Sequence, residues 1–393
     1  MDKRILAEVG EPGHKSRIIY EPAGCYTVEP PGIKMMPSAV YILQGAPNPN
    51  TSPGSGKLGG SWLLYLDFEK TLEDWGGLFL QLQEGWGNTV NSDLSLFSNV
   101  NHNAFDIDGR ITVRKYRYEQ YFFDKQVTLR CGQLRPYDWF DQNAIADDDD
   151  TQFLSYIFNN SPAVDWPSNF SFAEEINVSL NSVDFLELDL GHFEGDDKWQ
   201  KLFKYGMYMA QATFKPVKAL GLDPTEWNGN YRFYGWLNNR DHSKYVALGQ
   251  LQGTGEYTSY GFGLSFDQMI TGRLDLFGRF GWQQPYTIPA SGGACVEWSW
   301  SGGMQISGSY WNRIQDHIAV AVGQNFVSNE YIDAGNPGAN EGHIEAYYSW
   351  KLNRCLTISP DVQLIWNPNG VSYSRQGEPE PVFVYGTRVH YIF

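Results

Sequence analysis

Residues 258–282 read TSYGFGLSFDQMITGRLDLFGRFGW, two alternating stretches meeting at Thr-Gly-Arg. In the first, Tyr260, Phe262, Leu264 and Phe266 alternate with Gly261, Gly263, Ser265 and Asp267. In the second, Leu274, Leu276, Phe280 and Trp282 stand opposite Arg273, Asp275, Phe277 and Arg279. A period of two marks a strand with two unlike faces. A soluble sandwich would turn its apolar face into a packed core. Here the opposite face carries Asp, Arg, Gln, Ser and Gly, which suits a water-filled lumen, with the apolar face on lipid.

The pattern extends both ways. In SWLLYLDFEK, Leu64, Leu66 and Phe68 alternate with Tyr65, Asp67 and Glu69; in GLFLQLQEG, Leu78, Leu80 and Leu82 alternate with Phe79, Gln81 and Gln83. In CLTISPDVQLIW, Leu356, Ile358, Val362 and Leu364 oppose Thr357, Ser359, Asp361 and Gln363. Each stretch has about the ten residues that a tilted membrane strand needs. Trp75, Trp86, Trp282, Trp298, Trp350 and Trp366 fall near strand ends, where interfacial girdles place aromatic rings. At about twenty residues per strand and connection, the chain after residue 57 predicts an all-β, antiparallel transmembrane barrel of about 16 strands. Such a barrel leaves an aqueous lumen.

Composition agrees. Of 393 residues, 16 % are aromatic and only 19 % charged, with 41 glycines. The net charge of −16 argues against a nucleic-acid partner. No apolar run reaches the length of a membrane helix. The four cysteines, Cys25, Cys131, Cys295 and Cys355, are too scattered for a close-spaced metal motif and read as small apolar residues. HExxH, Walker and GxSxG motifs are absent, so an enzyme is not expected. Residues 1–57 are broken by EPGHK, EPAG, EPPG and APNPNTSPGSG and read as an arm or plug-like segment, with only Ala39–Leu43 strand-like. MDKRILAEVG shows no apolar core of an export signal.

Longer stretches carry a family resemblance. YEQYFFDKQVTLRCGQLRPYDWFDQNAIADDDDTQFL at 118–154 resembles the hallmark segment of the OprB-type carbohydrate-selective porins. GNYRFYGWLN (229–238), the 263–282 stretch, SGGMQISGSYWNRIQDHIAVAVG (301–323) and EAYYSWKLNRCLTISPDVQLIWNP (345–368) follow in family order. The closing Phe393 resembles the ending that barrel-assembly machinery reads. The resemblance spans 58–393. It implies a 16-stranded barrel in the outer membrane of a Gram-negative bacterium, amid lipid and lipopolysaccharide, passing monosaccharides or small oligosaccharides by diffusion. A channel of the same architecture for another polar solute, or for saccharide export, is the alternative.

The pleat then nominates the pore. Tyr116, Tyr118 and Phe122 share the lipid frame, so Arg117, Glu119 and Tyr121 point inward; Arg130, Arg273 and Arg279 follow by the same rule. An Arg on lipid at mid-depth would cost about 2–4 kcal/mol. Arg117, Glu119, Arg130, Arg273 and Arg279 are the expected constriction, with Tyr121 and Phe277 offering ring faces to sugar. Arg135 is placed to hold an inward loop. The run Asp147–Asp150 reads as a solvated or inward-folded loop. With Asp138 and Asp141 it is also a candidate structural calcium site, since calcium takes six to eight oxygens. No other cofactor is expected, and the oligomeric state is not legible.

Overall fold

The computed structural model describes residues 32–103, 109–167, 172–179, 185–194, 205–223, 227–248, 257–289, 294–372 and 381–393. Sixteen strands follow one another along the described chain. The first eight are β1 (Lys34–Ala46), β2 (Lys57–Leu72), β3 (Gly76–Gly87), β4 (Thr112–Phe122), β5 (Val127–Gln133), β6 (Phe172–Ser179), β7 (Leu186–Glu194) and β8 (Gly206–Phe214). The second eight are β9 (Gly229–His242), β10 (Tyr257–Thr271), β11 (Leu274–Gln283), β12 (Val296–Ser307), β13 (His317–Val327), β14 (Glu341–Lys351), β15 (Leu356–Trp366) and β16 (Val382–Ile392). Each pairs antiparallel with the next, and β1 pairs with β16, giving one closed barrel. Closure removes the strand edges that a bilayer does not tolerate.

The faces follow the alternation. Leu364 and Tyr391 are exposed on the outside, and Leu276 and Phe280 share the outer frame with them. Arg279 and Gln363 are buried on the inner face, where His390 also points. Connections differ at the two ends. Residues 73–75, 123–126 and 272–273 make short turns at one end, while 47–56, 88–103 and 134–167 belong to longer connections at the other.

Two expectations change. The barrel begins at Lys34, inside the stretch assigned to an arm, because Lys34–Ala46 pairs along its whole length with β2 and closes on β16. Pro37 is accommodated within that pairing, opposite Leu66. Residues 1–31 lie outside the described residues. Cys131 and Cys295 are outside any disulfide, as a scattered-residue reading expects, but Cys355 is disulfide-bonded.

The lumen is not uniformly wet. Residues 134–167, which follow β5, fold inward and pack on the wall. Trp139, Phe140 and Val164 meet Phe193, Met207, Met209, Tyr234 and Trp236 of β7 to β9. Phe153, Ile157 and Phe158 meet Phe277, Ala319, Ala321 and Tyr347 of β11, β13 and β14. Each Phe so buried contributes roughly 1.5–3 kcal/mol, enough to hold the loop inside against its chain entropy.

Candidate pore constriction

A lumen cavity lies between β4 and the inward loop. Alternation along β4 points Lys115, Arg117, Glu119 and Tyr121 inward. A bulge interrupts the register between Gln81 and Leu82. It turns Arg114, which strict alternation assigns to the lipid face, into the lumen cavity, 6 % exposed. Arg114, Lys115, Arg117 and Arg135 therefore line one cavity, together with Asp148, Asp149 and Asp150 from the loop. Tyr65, Phe79, Tyr137 and Trp139 add aromatic surface to the same cavity.

A second layer braces the basic wall. Glu119 sits between two guanidinium groups, with its Oε1 2.8 Å from Arg117 Nε and 2.9 Å from Arg130 Nε. The Tyr121 hydroxyl donates to Glu119 Oε2 at 2.9 Å. Both arginines lie over the Trp139 ring, Arg130 at 4.2 Å and Arg117 at 5.2 Å, and Arg117 also covers Phe79 at 4.8 Å. Asp138 pairs with Lys115 at 2.5 Å and with Arg135 at 3.2 Å, joining loop to wall. Arg135 pairs within its own segment, with Asp138 three residues on and over the Tyr137 ring, and Lys115 of β4 makes the bond from that segment to the wall.

The other nominees lie elsewhere. Arg279 is on the inner face but sealed under the loop: its Nε donates to Asp141 Oδ1 at 2.8 Å, and its Nη groups donate to the carbonyls of Phe158, Asp141 and Ala146. It anchors the loop instead of meeting solute. Phe277 is 3 % exposed and packs on Phe153, so its ring faces no open lumen. Arg273 sits exposed in the two-residue β10–β11 turn, 5.3 Å from the Tyr310 ring, because the tight turn ends the strand before it.

Asp147 to Asp150 are all buried, so the solvated-loop reading gives way to the inward-folded one. Carboxylate oxygens of Asp148, Asp149 and Asp150 come within 4.8 Å of one another. The set does not fit calcium. Asp150 Oδ1 accepts from Asn103 at 2.6 Å and from Tyr65 at 3.4 Å, and Asp148 accepts from the Asp150 N–H and the Thr151 hydroxyl. Asp138 and Asp141, the expected extra ligands, are engaged by Lys115, Arg135 and Arg279. Too few oxygens converge for a six- to eight-fold shell.

The inner wall of β14 holds an arrangement that the sequence did not disclose. Ser155 Oγ lies 3.2 Å from His343 Nδ1, and His343 Nε2 lies 2.9 Å from Glu341 Oε1. The spacing is that of a hydrolytic triad. Yet Ser155, His343 and Glu341 are at most 1 % exposed, and Glu341 accepts backbone N–H groups from Phe97, Ser98 and Asn369. Glu345 likewise accepts from the N–H groups of Leu154 and Ser155. These groups fasten loops to the wall; a nucleophile without access to solvent attacks nothing.

A profile of the family described as "Carbohydrate-selective porin, OprB family" matches residues 83–393. The chain belongs to that family. It is a family of outer-membrane channels, not of enzymes, and the porin is accordingly an outer-membrane protein. The high-pH structure of Pseudomonas putida OprB superposes with a TM-score of 0.75 at 16 % identity, covering 92 % of this chain and 94 % of that one. The outer-membrane channel DcaP of Acinetobacter baumannii gives 0.56 at 9 % identity, covering 92 % and 97 %. At such identities the likeness is one of fold. An uncharacterized protein of Aquifex aeolicus is 29 % identical over 172 residues, 39 % of the porin; the porin spans about half (54 %) of that relative's length.

Proposed function

We propose that the porin passes monosaccharides and small oligosaccharides passively across the outer membrane, with weak selectivity set between β4 and the Asp147–Asp150 turn. One observation carries the reading: donors, acceptors and rings line a single cavity. Arg114, Lys115, Arg117 and Arg135 supply donors, Asp148 to Asp150 supply acceptors, and Tyr65, Phe79, Tyr137 and Trp139 supply aromatic surface. A sugar has an apolar ring face and hydroxyls that both donate and accept, so each kind of lining group has a counterpart on it. Arginine's fixed fork suits vicinal hydroxyls better than an ammonium does. Many weak contacts in series let a solute enter and leave, which conduction requires.

Liposome swelling with a panel of neutral sugars, uronic acids and small organic acids tests this. Neutral monosaccharides should swell the vesicles fastest, with disaccharides slower. Equal rates for sugars and size-matched non-sugar polyols would set the sugar reading aside in favour of a general polar-solute channel. The exposed Phe393, whose ring meets Tyr391 edge-on at 4.8 Å, is the end we assign to recognition by barrel-assembly machinery.

A further inference from the structure

We propose that Arg388, in β16, is the positioning residue of the constriction: it holds the Asp147–Asp150 turn against the wall and so sets the width and charge of the opening. The inference rests on reading the lumen as the solute path. Arg388 is 1 % exposed and heads the largest fully buried side chains. Its Nη1 donates to the carbonyl of Asp149 at 3.1 Å and to that of Gln152 at 2.6 Å, two points on one turn.

The turn is itself stiff. Gln152 Oε1 accepts from the N–H groups of Asp147 at 2.8 Å and Asp148 at 3.0 Å, and its Nε2 donates to the Ala144 carbonyl at 2.8 Å. The Asp148 carboxylate accepts from the Asp150 N–H at 3.1 Å and the Thr151 hydroxyl at 2.8 Å. Asn103 and Tyr65 tie the turn at Asp150 Oδ1, and Arg388 adds the hold on its backbone at Asp149 and Gln152, so losing the guanidinium frees that side of a stiff unit. Among the described residues, Arg388 makes no ion pair within 4.0 Å; its hydrogen-bond partners are neutral carbonyls. Burying a cation against neutral groups costs stability that an apolar side chain of similar size would not. What the guanidinium provides in return is the location of three carboxylates facing Arg114 and Arg117.

Single-channel recording of Arg388→Met in a potassium chloride gradient tests the proposal. Conductance should rise about twofold and the cation-over-anion permeability ratio should fall about twofold, because the acidic turn leaves a narrow, field-focusing opening. Arg388→Lys keeps a charge and reaches fewer carbonyls, so it should fall between. Gln152→Ala, altered from the loop side, should shift both readouts the same way. Heat-modifiable gel migration establishes that each variant is folded, and if Arg388→Met fails that check, Gln152→Ala decides. Folded variants with unchanged conductance and unchanged ion selectivity would overturn the proposal. Ion readouts do not depend on the solute, so a failure of sugar uptake in the swelling assay would leave this result standing, and the reverse.

Discussion

Arg117 and Arg130 share one carboxylate yet do different work. Arg117 lines the cavity, whereas Arg130, 4 % exposed, lies behind Trp139. Removing one partner of a buried pair leaves the other uncompensated, at about 3–5 kcal/mol. Arg130→Ala should therefore lower resistance to urea unfolding in lipid vesicles by about 3 kcal/mol, the lower end because Arg117 still pairs with Glu119. Arg117→Ala should show mainly as higher conductance and weaker block by added glucose in planar bilayers. Arg114→Ala should resemble Arg117→Ala, while Arg273→Ala should leave both readouts at the wild-type level. The last pair reverses what alternation alone implies. Strict alternation puts Arg114 on lipid and Arg273 in the lumen; one bulge and one two-residue turn exchange them. Neither irregularity has a marker in the sequence strong enough to shift the frame.

Among the strands, the β4–β5 pair depends on a glycine. Gly132 stands opposite Arg117 with φ of +147°, and a Cβ there would lie 2.1 Å from the Tyr116 carbonyl oxygen. Gly132→Ala must push β4 and β5 apart at the point where Arg117 is braced. The expected cost is more than about 1 kcal/mol, seen as a lower temperature of heat-modifiable unfolding, together with noisier single-channel current. The strand itself was legible, since VTLRCGQ alternates cleanly. The inward loop was legible only as a break in that alternation. Its contacts join Asp141 to Arg279 and Asp149 to Arg388, more than a hundred residues away, and local pattern carries no information at that range.

For the whole molecule, most faces follow from period two, because a barrel wall imposes it on every strand, and the strand number follows from chain length at about twenty residues per strand and connection. The first strand carries a weaker pattern. KMMPSAVYILQGA has a proline and several small residues, and Pro- and Gly-rich flanks hid all but its middle. The structure makes the two truncations unequal. Deleting residues 1–31 should leave a folded, heat-modifiable barrel, since β1 starts at Lys34. Deleting 1–57 removes the strand that pairs with both β2 and β16 and should abolish heat-modifiable migration altogether. Equal behaviour of the two truncations on gels would refute this account of closure.

The strand that closes the barrel on β1, β16, also carries the arginine that holds the acidic turn. Sealing the wall and installing the filter are thereby a single event in the life of the chain. A cell inserting this protein passes through no stage with a watertight cylinder and an ungoverned hole, because the part that completes one completes the other. Leakiness during biogenesis is confined to the interval before the seam forms, and any chaperone that shields the open seam shields the membrane's permeability barrier as well.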